Sequence, residues 1–545
     1  MVKYLDNNSG FNMWNANRNA AAATRPKSRW TGFLWWAAIF IGTWWLLGMW
    51  MTPKNTPVPT DADNAMISND IANVPTNEIS SEKLNVNIQG LRISDIVLND
   101  FSSGNRADES ERITLLNQDG DFIEVGLNAT GTIAPDAKTV WNKFAVVTDF
   151  DTTTDTGAVV YDMEWKNPNG VIFHRSIKIG NDYLITITDT IENKTKNELT
   201  FAPYARIVRG GGSNSAGVAT GAITNTNSRV RYTDWNKLNK QSYAYSTTNG
   251  FIGFADQYWQ TVMDIKSSDQ TMRAKSVADK YIADTVAAPV VVAPNATGAF
   301  TTTIFAGPRD QRILDAAATS ISGIDETIDY GWFWFLARPL LWVLNVLNGW
   351  VMNYGLAIIL LTILLRLLMW PLTRKSYTSS IAMQRMQPEM QRIQKLYAND
   401  KARMQLEMMN LYRTHKTSPM SGCLPMLIQI PIFFALYKAL LVSVQMQNAH
   451  FLWIRDLAAM DPYFILPILM GVTMWLQQYL QSGRTPKNTN AGDMAAATGR
   501  MMKWLPVIFA VMFAWMPAGL VLYWTVSNLF GIFQTYIIKR RLARK

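Results

Sequence analysis

Five apolar runs crowd the C-terminal part of the chain, at 351–370, 422–444, 463–480, 504–515 and 519–538, and none contains an Asp or Glu. A sixth, at 32–51, stands near the other end. Runs of this kind cannot all be hidden in one water-soluble core. In lipid, where no water satisfies backbone polar groups, they are predicted to form helices that cross the bilayer. About 20 residues give roughly 30 Å of helix, the depth of a hydrocarbon core. Run 504–515 is shorter, roughly 18 Å of helix, so either the helix starts earlier, near Met501, or the bilayer thins around it.

Charge sorts the connecting segments into two compartments. Residues 52–330 carry 24 Lys and Arg against 34 Asp and Glu, a net of −10. The stretches 1–30, 371–420, 481–503 and 539–545 carry 23 basic and 5 acidic residues, a net of +18. Basic loops stay cytoplasmic, so the acidic region is expected outside and both termini inside. Six spans satisfy this parity. The basic leader 1–31, with Arg18, Arg25, Lys27 and Arg29, then precedes a retained anchor rather than a cleaved signal, since no A-x-A site follows the run. The aromatic segment 326–350 is interrupted by Arg338, Pro339, Asn345 and Asn348. If it spanned, the basic stretch 371–420 would end outside, so it is placed flat on the outer surface. Nucleic acid is a weak reading of these basic pieces, although ribosomal RNA stays open as a partner. The single cysteine, Cys423, excludes an intrachain disulfide.

The stretch 52–83 reads as a linker. From 84 to 325 the pattern changes to short β-rich segments, such as 84–88, 184–187 and 290–292, bounded by Gly, Asn and Asp. This predicts an exported antiparallel β-sandwich, followed by a short helix at 309–320. Thr373 to His415 reads as a cytoplasmic helical hairpin turned at Asn399-Asp400, with Pro388 expected to kink its first helix. Met383, Met386 and Met390 face Met404 and Met408 at seam spacings. Those methionines either form the seam or, being adaptable, offer a promiscuous apolar surface. Arg385, Arg392, Lys395 and Arg403 read first as solvated charge, with lipid headgroups or a ribosome as the alternative partners.

Arg366 is the most informative single residue. A cation in a membrane helix costs at least about 2.5 kcal/mol at mid-depth unless paired or wet, and no carboxylate lies in any run. Two readings stand. The side chain snorkels to the cytoplasmic surface, or it lines a water-filled pocket open to the cytoplasm together with Thr362, Gln429, Tyr523, Ser527, Asn528 and Gln534. Lys438, near the outer end of its run, is expected to snorkel. The missing carboxylates weigh against an ion-coupled transporter, and the polar residues inside the runs weigh against a merely anchored scaffold. The three histidines are far apart, and no phosphate loop, zinc motif or nucleophile elbow is present. Neither enzyme chemistry nor a metal or cofactor is expected.

Four stretches then converge on one family. They are Pro419-Met420-Ser421-Gly422-Cys423-Leu424-Pro425 running on to Gln429 and Pro431-Ile432-Phe433; Arg366 before Pro371-Leu372-Thr373; Asp461-Pro462-Tyr463 before Leu466-Pro467; and Pro517-Ala518-Gly519 leading to Tyr523-Trp524 and Ser527-Asn528. In order and spacing the region 330–540 resembles the YidC/Oxa/Alb membrane insertases, of the six-span Gram-negative type. The resemblance implies a bacterial inner-membrane protein whose core, 351–545, encloses a hydrophilic groove open to the cytoplasm and to lipid. Arg366 would be its positive charge, and Thr362, Gln429, Tyr523 and Trp524 would lie on or near the substrate path. Trp524 stands where many relatives carry a second tyrosine. Hairpin 373–415 would receive substrate, and the exported domain would be a β-super-sandwich without enzyme activity. Implied partners are nascent membrane proteins, the ribosome, the targeting machinery, the Sec translocon and membrane lipids, with no small-molecule substrate.

Overall fold

The computed structural model describes residues 71, 73–102, 111–116, 118, 120–149, 158–212, 217–267, 269–415, 424–482 and 504–543. The leader 1–31, the apolar run 32–51 and the segment around Cys423 lie outside the described residues.

Strand-forming residues dominate from Thr76 to Pro308, and they build two antiparallel sheets of ten and nine strands. The first sheet begins with strand Thr76–Ser80, paired to Leu84–Gln89. The domain therefore starts inside the stretch 52–83 expected to be linker. Ile79, alternating with polar neighbours, is buried and ties this first strand to the core. Alternation decides which face is inside. In strand Val171–Ile179 the residues Val171, Phe173, Arg175, Ile177 and Ile179 are buried while those between them are half-buried. One apolar cluster joins such faces from both sheets, Val86, Ile123, Phe201 and Ile207 against Phe173, Ile187, Phe254 and Ile304. Burial of this kind contributes roughly 25 cal/mol per Å², which lets the domain hold together without disulfides.

Charged pairs are buried inside the sandwich. Arg175 donates to both carboxylate oxygens of Asp189, at 2.7 and 2.8 Å, and across the core to the Val125 carbonyl at 2.8 Å. Val125 belongs to the other sheet, so this arginine links the layers. Arg92 likewise pairs with Glu124 at 2.8 Å, and Glu124 also accepts from Tyr204.

The sheets hand over to helices through Arg309, which is 1% exposed. Its guanidinium donates to the carbonyls of Asp256 and Thr327 at 2.7 Å each and to the Tyr232 hydroxyl at 2.9 Å. Asp310 then caps the helix Gln311–Ala317 through the Arg312 N–H.

Eight helices of the core follow: α1 (Trp334–Val351), α2 (Tyr354–Leu368), α3 (Trp370–Leu396), α4 (Lys401–Thr414), α5 (Leu424–Val442), α6 (Ile465–Ser482), α7 (Trp504–Trp515) and α8 (Ala518–Ala543). Helix α1 buries Ala337, Leu340, Leu341 and Leu344, one face at helical spacing, against α2 and α5. Its other face presents Trp334, Phe335, Trp342 and Trp350 outward. Met352, at φ 54°, ends it in the left-handed conformation, and Asn353 caps α2 by accepting from the Leu356 N–H. Between α2 and α3 the chain bends by 61° at Met369. Pro371, in the first turn of α3, disfavours a straight continuation. Pro388, by contrast, leaves α3 unbroken, so the expected bend sits near Pro371 instead.

Among the described residues, only α8 over Ala518–Arg541 is long and apolar enough to cross a bilayer alone, with the bent α2–α3 pair a second by length and composition. Helices α5, α6 and α7 are shorter apolar helices.

The β-domain docks on the end of α5. Lys438 donates to Asp329 and to the Gly217 carbonyl, both at 2.8 Å, and Gln257 donates to the Leu441 carbonyl at 3.0 Å. Lys438 therefore does not snorkel as expected, because a carboxylate and a carbonyl reach it first. Burial pushes the Asp329 carboxyl up, but the Lys438 hydrogen bond and charge, with the Gly331 N–H, outweigh it and hold the carboxyl below its ordinary value.

Two outcomes follow. Replacing Asp189 with Ala leaves Arg175 buried without its countercharge and should cost about 3–5 kcal/mol of stability, read by tryptophan fluorescence during unfolding of the detergent-solubilised chain. The pair Arg175→Met with Asp189→Leu should recover most of it, and an unchanged midpoint in Asp189→Ala would refute the role. Since Asp329 is depressed in the fold, its contribution is present above the ordinary carboxyl range and lost as pH falls through the folded value. The pair is partly exposed, so the effect is at most about 1 kcal/mol. Asp329→Asn should lower the unfolding temperature at neutral pH, and its gap from wild type should narrow as pH falls below the ordinary carboxyl range; a gap of constant size through acid titration would contradict it.

Candidate functional site

Helix α2 carries Arg366 in its last turn, where the helix dipole favours a cation. Facing it is α8, whose Ser527 is buried. Arg366 Nε donates to Ser527 Oγ at 2.8 Å, and Nη2 donates to the same oxygen. One turn earlier on α8, Tyr523 is buried, and its hydroxyl accepts from the Gln429 amide of α5. Arg366, Ser527, Tyr523 and Gln429 thus bring three helices to one polar patch.

No ion pair to Arg366 is found among the described residues. A guanidinium has five N–H donors, and one serine oxygen serves two nitrogens here. Arg366 is half-buried, as is Gln429. The remaining donors are left for water or an incoming polar group. Chemically, N–H donors of this kind suit oxygen-rich or anionic groups, and no nucleophile–base arrangement surrounds them among the described residues.

The other expected residues divide. Thr362 is fully buried, and its hydroxyl donates to the Ile358 carbonyl of its own helix at 2.7 Å. Its hydroxyl is thus engaged within its own helix and offers the patch no free donor. Asn528 points the other way, its amide 3.3 Å from Thr473 Oγ and 3.4 Å from the Met470 carbonyl, so it ties α8 to α6. Gln534 is buried, and its carbonyl oxygen lacks a partner among the described residues. Trp524 is half-buried and packs among Phe433, Phe513 and Phe509, at ring distances of 5.1, 5.2 and 5.9 Å.

That aromatic cluster was not legible beforehand. Its phenylalanines come from α5 and from 504–515, and only Phe509 and Phe513, four apart, carried a local signal. It lies toward the β-domain. The first turn of α8 is held by the loop after α5, through Gly519 N–H to the Leu457 carbonyl and Ala518 N–H to the Ala459 carbonyl, and Trp524 sits between that end and Ser527. Asp461, 1% exposed, orders the same loop by accepting from Trp453, Tyr463 and Leu466.

The hairpin begins beside the patch, since Tyr377 of α3 lies near enough to interact with the Arg366 charge. Helices α3 and α4 pack together, and Asp400 caps α4 at the expected turn through the Arg403 N–H. Met386 is buried and Met383, Met390, Met404 and Met408 are half-buried, whereas Leu406 and Met409 are exposed. Of the five methionines only Met386 is withdrawn from solvent, and the other four keep part of their surface exposed.

The family profile described as YidC periplasmic domain matches residues 77–343, and that described as 60Kd inner membrane protein matches 346–545. The membrane protein insertase YidC of Beijerinckia indica subsp. indica is 32% identical over 84% of this chain and 81% of its own. That of Magnetococcus marinus is 37% identical over 78% of this chain and 76% of its own. A crystal structure of an active YidC insertase with its first transmembrane domain resolved is similar at 19% identity and a TM-score of 0.36, covering 86% of this chain and 95% of that one. The chain is a member of the YidC family of membrane protein insertases, inner-membrane proteins with a periplasmic domain and not a family of catalysts.

The Arg366–Ser527 contact makes a thermodynamic claim. A hydrogen bond to a charged group contributes about 1.5–3 kcal/mol, so a double-mutant cycle of Arg366→Met and Ser527→Ala, read by thermal unfolding in detergent, should show strong non-additivity. Strictly additive losses would mean the two side chains do not hold each other.

Proposed function

We propose that this chain inserts transmembrane segments of nascent proteins into the inner membrane, using the Arg366 patch as a transient polar resting place. The observation that carries the reading is a cation without a countercharge, presented between helices whose apolar runs lack carboxylates. The proposed topology has six spans, counting 32–51, α2, α5, α6, α7 and α8, with both termini cytoplasmic and α1 in the outer interface. Helix α7, about 12 residues and roughly 18 Å long, would sit where the bilayer thins. Thinning lowers the barrier to a passing polar segment.

In this mechanism a substrate hairpin enters from the cytoplasm, first meeting α3 and α4. Its short translocated segment hydrogen-bonds to Arg366, Gln429, Tyr523 and Ser527 in a groove open to cytoplasm and lipid. The cluster of Phe433, Phe509, Phe513 and Trp524 closes the outer side. The apolar segment leaves sideways into lipid, driven by burial at roughly 25 cal/mol per Å². Thr362 and Asn528 shape the groove by packing its walls. Ribosomes, the targeting machinery and the Sec translocon are proposed to deliver substrates, with basic tail residues such as Arg540 and Arg541 near them. No nucleotide or other cofactor takes part.

The test is translation of a short two-span protein with liposomes, with and without the purified chain, scored by protease protection. Protection should require the chain. Arg366→Ala should reduce it several-fold for substrates with short acidic tails, and Arg366→Lys should restore most of it if charge rather than the guanidinium fork matters. Full protection with Arg366→Ala on those substrates would reject the electrostatic role.

A further inference from the structure

A slot in the β-domain has no part in this scheme. Its volume is about 300 Å³, and every residue from Glu111 to Leu116 touches it. Side chains of successive strand residues point to opposite faces, so a space that meets all of them runs along the edge of the strand. Strand Arg112–Leu115 pairs with Arg92–Ser102 on one side and with no other strand among the described residues. Its other edge therefore offers main-chain N–H and C=O groups to the slot.

The opposite wall is polar and electrically balanced. Arg209 pairs with Asp256 at 2.9 Å, and Asp121 pairs with Lys280 at 3.0 Å. Beside them Gln260 is 2% exposed, and neither of its amide atoms has a hydrogen-bond partner among the described residues. A buried amide left unpaired is costly, and a peptide group, one donor and one acceptor, is its natural complement. Trp259 adds an aromatic surface. An adjoining depression past Gly211, Gly212 and Tyr258 lengthens the slot toward Gln257, which holds the Leu441 carbonyl of α5. The slot thus continues to the place where the β-domain meets the helices.

We infer that this slot binds an extended, uncharged polar segment of an exported polypeptide, which adds as a strand to the free edge of Arg112–Leu115. Main-chain pairing supplies the affinity in such sites, and the cancelled charges select against acidic and basic segments. Gln260 holds one peptide group of the guest from the facing wall. The site is independent of the Arg366 patch and does not rest on its proposed role.

The test uses the full chain in detergent and a fluorescein-labelled Ser/Thr/Asn peptide, followed by anisotropy and by hydrogen exchange. Saturable binding is expected, with slower exchange at the amides of Arg112–Leu115. Methylating alternate peptide nitrogens on the guest, which leaves the protein untouched, should weaken binding at least about tenfold, and Gln260→Leu should do the same without a change in unfolding temperature. Equal binding of the methylated peptide, or no saturation up to about 1 mM, would overturn the inference. So would displacement of the peptide by a maltooligosaccharide, which would mark a glycan site.

Discussion

A guanidinium without a carboxylate is the constraint around which the helical core is arranged. Arg366 cannot be left dry between apolar helices, because an unpaired charge in low dielectric costs more than the helix packing around it returns. The chain answers with a serine on α8 and an accessible remainder. A paired arginine would be stable and inert. One held by a neutral hydroxyl keeps its position and keeps its capacity to bind. The Tyr523–Gln429 contact extends the same solution to a third helix, so the polar patch also serves as the place where α2, α5 and α8 are joined.

The β-domain and the helices are one compact unit, and buried arginines with few alternatives hold its parts in place. Arg175 spans the two sheets, and Arg309 gathers carbonyls from strand ends and from the turn at Thr327. In each case the planar fork reaches several acceptors at once, which a lysine does not do. Lys438 has the simpler task of meeting one carboxylate and one carbonyl at the end of α5. The result is a β-domain fastened to the end of α5.

Much of the architecture was legible because it depends on local pattern. Alternation in 171–179, helical spacing in α1 and the turn at Asn399-Asp400 each follow from backbone geometry and need no distant partner. The strand Thr76–Ser80 lies within the stretch that reads as linker, since a five-residue edge strand among Asn, Glu and Ser carries little apolar signal. Trp524 and Asn528 belong to the recognised stretch, yet one joins an aromatic cluster and the other the α6 interface. Adjacent residues on a helix point about 100° apart, so a motif read along the chain does not say which of its members share a face.

The sequence by itself determined the division into an acidic β-rich region and carboxylate-free apolar runs, and the isolation of Arg366 within them. These are properties of composition and period. Only the tertiary structure decided that Ser527 meets Arg366, that Lys438 finds Asp329, and that the strand Arg112–Leu115 keeps an edge open among the described residues. Each of these joins segments distant in the chain, or leaves one unjoined, and hydrogen-bond range extends only about 3 Å. No local pattern encodes which remote residues will arrive within that distance once the whole core has packed.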